Sequence, residues 1–274
     1  MRLGRVGTSI ILAAVYMAIV IGMTTARFGN VGLRWAVIIS VASVGMLMLL
    51  QLAFAISIVA LRMRLPTSAI VAVVSALLFA GTFLLAVEVH LSTAAVLGVA
   101  GLQRLLLMLF AVSLGYTVSF IIGEANILLP VAVFAACTDY WNVTFGPLRH
   151  ILEKKPIIVE ALAVQMPNPV PGMPGTMIGM GDFVFFALFF GVLYRFAMNV
   201  KGAFWLVYGL LTVSMLVVMK FGSALPALVP LGLAVVAANV RNFKLKREEL
   251  LATVYVGALL FVFLLASAIY MHGR

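Results

Sequence analysis

Hydrophobic residues along this chain fall in long unbroken runs, with none of the strict alternation of a half-buried strand. With charged residues, prolines and glycines as punctuation, the runs predict helices near 8–26, 35–61, 67–89, 103–123, 125–146, 176–197, 203–220, 224–240 and 250–271. Most hold about 20 apolar residues, enough for a helix to cross a hydrocarbon core of about 30 Å. The pattern therefore predicts an all-α polytopic membrane protein with about nine spans. The stretch 90–102, only 13 residues long, reads as an interfacial or re-entrant helix, with Gln103 and Arg104 marking a membrane boundary.

Between Gly146 and Thr176 lies the longest connection, 147–175. Pro167, Pro169, Pro171 and Pro174 hold its second half extended, while its first half has room for a short helix or strand. Neither a repeat nor a second domain is evident. The whole chain, 1–274, reads as one membrane domain: N-terminal helices over 1–123, a central segment over 125–240 and a further span over 250–271.

Composition sharpens this picture. Of 274 residues, 65% are hydrophobic and 9% charged, which excludes a soluble single-core protein, a disordered chain and a disulfide scaffold. The net charge of +10 resides in short connections, where basic residues anchor loops at anionic membrane surfaces. It implies a lipid bilayer as partner and no nucleic acid. Basic residues divide almost evenly between the two faces, so charge does not fix orientation. The single cysteine, Cys137, sits in an apolar run and reads as a packed thiol.

Chemistry concentrates in the two aspartates, Asp139 and Asp182, both inside predicted spans. A carboxylate placed there costs at least about 2.5–3.5 kcal/mol on insertion scales, which makes it a functional-site hypothesis by default. Because the 147–175 loop joins their two helices, the aspartates are expected at similar depth, roughly 10 Å from one membrane face. Ala135 and Ala136 on one helix and Gly179 on the other suit close helix packing. Two such carboxylates sharing one proton can activate water and polarise a carbonyl. Pro226 and Pro230, near the start of another span, interrupt regular helix and leave backbone groups able to hold an extended peptide.

Glu88, His90 and Glu124 read as interfacial anchors, and the phenylalanines from Phe183 to Phe190 as lipid and helix packing. Asn142-Val143-Thr144 lies in a span and is discounted as a glycosylation acceptor. No metal-binding cluster, phosphate loop or Ser-His-Asp set is apparent, so no metal and no cofactor is expected.

Gly179-Met180-Gly181-Asp182, Pro226-Ala227-Leu228 within ALPAL, and Asp139 followed by Gly146-Pro147-Leu148-Arg149 resemble the GxGD, PAL and first-aspartate segments of the presenilin and signal peptide peptidase family. The resemblance covers roughly 120–240. It implies an intramembrane aspartyl protease acting on transmembrane segments or signal peptides, with Asp139 and Asp182 as the catalytic pair. It further implies that Gly179, Met180 and Gly181 form the active-site motif, that Pro226, Ala227 and Leu228 receive substrate, and that accessory subunits are not required. Thr138 stands where the family usually has tyrosine, the loop is short for self-cleavage, and the 250–271 span has no counterpart in the family pattern. Prepilin-type peptidases share GxGD without PAL, and a proton- or cation-coupled transporter is a further way to use two membrane aspartates.

Overall fold

The computed structural model describes residues 2–25, 32–88, 93–144, 162–171, 176–221, 225–244 and 246–272. Among them are nine α-helices: α1 (Arg2–Thr25), α2 (Leu33–Val59), α3 (Leu65–Glu88), α4 (Thr93–Ser119), α5 (Leu128–Thr144), α6 (Met180–Arg195), α7 (Val200–Phe221), α8 (Leu228–Asn239) and α9 (Arg247–His272). Short 3-10 turns, Ala125–Ile127 and Val240–Asn242, adjoin α5 and α8. Six segments among the described residues are long and apolar enough to cross a membrane: Gly4–Thr25, Leu33–Val59, Leu65–Leu85, Gly98–Ser119, Ala125–Thr144 and Val200–Val218. The protein is thus helical and suited to a membrane.

Two predicted boundaries differ from the structure. Residues 93–102 are not a separate interfacial helix but the opening turns of α4, which runs unbroken for 27 residues. No proline interrupts it, and Gln103 and Arg104 lie well inside the helix, Arg104 donating to the Gln165 side-chain oxygen at 3.3 Å. Thr176 does not start a helix either. β2 (Thr176–Gly179) pairs antiparallel with β1 (Ala163–Met166), Gln165 opposite Met177, and α6 begins only at Met180. The β-branched Thr176 and Ile178, next to a chain returning from a proline-rich stretch, favour pairing over an isolated helical turn. Residues 147–161 and 172–175, part of the predicted loop, lie outside the described residues.

The chain divides into two compact units, Met1–Val118 with Glu160–Phe190, and Ser119–Val159 with Gly191–Arg274. In the first, small and hydroxyl-bearing residues bring helices together. Gln51 donates to the Tyr16 hydroxyl at 3.3 Å, Ser57 to Ser9 at 2.9 Å and Arg5 to the Ala60 carbonyl at 2.9 Å, tying α1 to α2. Thr117 donates to Ser68 at 3.0 Å, tying α4 to α3, and Tyr116 to the Met63 carbonyl at 3.2 Å, tying α4 to the turn before α3. Without water to compete, such bonds and close backbone approach replace the hydrophobic effect as the source of helix association.

α6 is the most enclosed helix. Phe183, Phe186, Phe189 and Phe190 are buried, with the Phe186 and Phe190 rings stacked at 4.3 Å. Of the two roles expected for these rings, helix packing is the one seen at those four positions. Gly115 of α4 abuts the backbone of Val184, leaving no room for a Cβ. Past Arg195, Ala197 takes a left-handed φ of 51° and the Met198 N–H returns to the Leu193 carbonyl at 2.9 Å, ending the helix.

In the second unit α8 packs against α7 and α5, and α9 packs against α5. Gly232 of α8 faces Ala132 of α5 at a spacing that a Cβ would just fill, 3.4–3.5 Å. Trp141 of α5 donates to Ser267 of α9 at 3.2 Å, and Asn126 donates to Glu249 at 2.9 Å where α9 begins. The helix beyond α8 thus braces the helix that carries Asp139.

Gly115→Ala is expected to lower stability in detergent by about 1–3 kcal/mol, because the methyl has to displace backbone. Gly209→Ala, with open space at its Cβ, should leave stability unchanged or raise it by up to about 1 kcal/mol. Thermal unfolding of both variants checks the contrast.

Candidate active site

Asp139 occupies the twelfth position of α5, and Asp182 the third position of α6. The second placement differs from the expected position along the helix: β2 takes up the residues that were to form its first turn, so Asp182 sits at a helix start and not six residues in. Each aspartate is partly buried. Asp139 belongs to the second unit and Asp182 to the first, and each is anchored within its own unit.

Asp139 reaches the start of α8. Its Oδ2 accepts the Leu228 N–H at 2.9 Å, joining positions 89 residues apart in sequence. The cause is local. A helix start leaves N–H groups without intrahelical partners, and Ala227, at the capping position, has no side-chain oxygen to offer. Pro230 removes one further donor from that first turn, and the Leu231 N–H closes on the Ala227 carbonyl at 3.2 Å. The Leu228 N–H is left to Asp139, whose carboxylate also meets the positive end of the α8 dipole. Pro226 and Ala227 precede the helix, as expected of an interrupted segment, and Ala224 lies outside the described residues.

The face of α5 bearing Asp139 carries small residues, one of which meets α8. Ala132 and Ala135 are buried, the former against Gly232. Thr138, one residue before the acid, turns its hydroxyl to the Phe134 carbonyl of its own helix at 2.7 Å. It therefore satisfies itself locally.

Asp182 closes a shorter loop. Its Oδ2 accepts the Gly179 N–H at 3.1 Å, so the acid ties the last residue of β2 to the first turn of α6. This is the three-residue reach of a capping side chain, here facing back toward the strand. The Met180 N–H donates to the Leu162 carbonyl at 3.0 Å, which continues the hairpin ladder up to the helix start. A Cβ on Gly179 would lie in ordinary contact with the Asp182 carboxylate, at 3.4 Å. At Gly181 a Cβ would meet nothing within 4 Å among the described residues. Met180 is partly buried at the junction of strand and helix.

Each of the three sequence segments therefore holds a described hydrogen bond to an aspartate or bears one. The PAL segment supplies the N–H for Asp139, and the first glycine of GMGD supplies the N–H for Asp182. Among the described residues no group of His, Cys, Asp and Glu is arranged to hold a metal ion. Two participants escaped sequence reading. The β1–β2 hairpin has only four-residue strands, too short for a clear period-2 signal. Gly115, which seats α6, is one glycine among 23.

No family model, no curated protein and no solved structure matches this chain. The site stands on its motifs and its geometry.

If Asp139 caps α8, Asp139→Ala should cost about 0.5–2 kcal/mol of stability, whereas Asp139→Asn, which keeps an acceptor oxygen, should stay close to wild type. Unfolding in detergent measures both. Equal losses in the two variants would remove the capping role.

Proposed function

We propose that this chain is an intramembrane aspartyl protease that hydrolyses peptide bonds within transmembrane segments or signal peptides, with Asp139 and Asp182 as its catalytic pair. The observation that carries the reading is the Leu228 N–H on Asp139 at 2.9 Å: the first-aspartate and PAL segments, which share no sequence proximity, meet at a carboxylate oxygen. GMGD supports it from the other side, since its aspartate sits where a strand turns into a helix. In this reading nine crossings, as the apolar runs imply, surround the pair in a cell membrane or endomembrane. The resemblance to the presenilin and signal peptide peptidase family belongs to the same proposal.

The chemistry follows from two carboxyl groups that hold one proton between them. The charged one removes a proton from a water molecule as the water oxygen bonds to the scissile carbonyl carbon. The protonated one donates a hydrogen bond to the carbonyl oxygen and stabilises the charge that builds there. Collapse of the tetrahedral adduct breaks the C–N bond, and the leaving nitrogen takes up a proton from the pair. No metal or organic cofactor takes part.

A peptide bond in a transmembrane helix has its carbonyl engaged and its flanks covered, so cleavage needs the segment locally extended. The hairpin supports that requirement. Among the described residues β2 pairs with β1 alone, and a strand of this kind offers its other edge to an extended chain by backbone hydrogen bonds. The same strand ends on Gly179, which hydrogen-bonds Asp182.

Purified protein should cut a single-span reporter inside its apolar segment, with product masses locating the cut. Asp139→Asn and Asp182→Asn should each lower the rate by at least about 10³-fold, as expected when one member of a jointly acting set is removed. Cleavage that persists in both variants would refute the dyad. A cut just outside the apolar segment would favour a prepilin-type peptidase. No cleavage together with aspartate-dependent cation flux in vesicles would favour a transporter.

A further inference from the structure

Within the first unit, at a distance in sequence from either aspartate, α3, α4 and β1 enclose a cavity of about 130 Å³. Its walls combine two kinds of residue. Phe79 and Phe83 of α3 and Leu107 of α4 make one side apolar; Arg104 and Gln103 of α4 and Gln165 of β1 make the other polar. Phe83 is 41% exposed, so the cavity opens past its ring onto the surface of the unit.

Arg104 is the group that needs explaining. It lies in the middle of a helix apolar enough to cross a membrane, where a guanidinium is costly unless something neutralises it. Its described hydrogen bond goes to a neutral acceptor, the Gln165 side-chain oxygen, at 3.3 Å. No carboxylate among the described residues forms an ion pair with it. Beside it, the side-chain nitrogen of Gln103 is buried without a hydrogen-bond partner. Arg104 and Gln103, a cation and a residue with an orphaned amide donor, thus line one small space with apolar walls, and among the described residues no acceptor of matching charge pairs with the guanidinium.

We propose that this cavity is an oxyanion site, taking the carboxylate or phosphate of an amphiphile, with Arg104 and Gln103 as donors and Phe79, Phe83 and Leu107 against its apolar chain. The planar fork of arginine suits two oxygens of one headgroup, and the Gln103 amide supplies a further donor. A liquid water occupies about 30 Å³, so the cavity has room for a headgroup of a few heavy atoms, with the chain leaving past Phe83. Neither aspartate lines the cavity, and the proposal does not depend on the protease reading.

Native mass spectrometry of the detergent-purified full chain tests it, with oleate, phosphatidylglycerol and phosphatidylcholine offered in turn. Wild type should retain one oleate or one phosphatidylglycerol in preference to phosphatidylcholine, and which of the two is retained distinguishes a carboxylate from a phosphate ligand. Arg104→Gln should cut that retention about tenfold or more, the loss expected for a charge-assisted hydrogen bond. Gln103→Leu should cut it a few-fold, and Lys201→Gln, an exposed cation on α7, should leave it unchanged. Equal retention by wild type and Arg104→Gln, or of all three amphiphiles by wild type, overturns the proposal. Should Arg104→Gln fail to fold, Arg104→Lys and Gln103→Leu decide: unchanged retention in both overturns it as well.

Discussion

Backbone polarity in an apolar medium governs this molecule. Every N–H group placed at membrane depth needs an acceptor, and water is not there to supply one. Helices meet the requirement internally except at their first turns, where donors remain over. α8 starts with Ala227 at the capping position and has proline as its third residue, so its start is poorly provided from its own sequence. A carboxylate on another helix, Asp139, completes it. At α6 the same need falls on the join between strand and helix, and Asp182 meets it through Gly179.

This gives the two acids a structural reason to be where they are. A membrane carboxylate is expensive, and accepting a backbone N–H at a helix start recovers part of that cost. It also fixes the side chain's rotamer. In the proposed reaction such a group gains from being held before substrate arrives, since the orientation is then settled in advance. Structural anchoring of this kind is compatible with the proposed catalysis.

The surroundings serve the same end by close contact instead of bulk. Gly232 against Ala132 brings α8 near enough to α5 for the carboxylate to reach, while α9 braces α5 from another side through Trp141 and Ser267. In the other unit Gly115 lets α4 lie against the α6 backbone next to Asp182, and buried phenylalanines fill the remaining space. Small residues matter here because packing distance, more than apolar area, decides association between helices in lipid. Arg104 is the exception to the apolar interior, and its setting beside Gln103 and a cavity sets it apart from the interfacial arginines.

Much of this was legible in the chain itself. Runs of apolar residues fix the helical class because no other structure of that composition satisfies its backbone in lipid, and the rarity of aspartate singles out Asp139 and Asp182. Spacing and the GMGD and ALPAL segments pointed to the residues around them. What local pattern does not encode is which helix completes another's first turn. That Asp139 answers Leu228, that Thr176–Gly179 pairs as a strand instead of extending α6, and that Arg104 lies inside α4 are outcomes of long-range contact. The four-residue strands gain their stability from pairing, and a cap supplied from 89 residues away is visible only when two helices have packed. The sequence determined the class of structure and the identity of the acids; the tertiary structure decided what each acid holds, because hydrogen bonds across helices depend on distances that only packing sets.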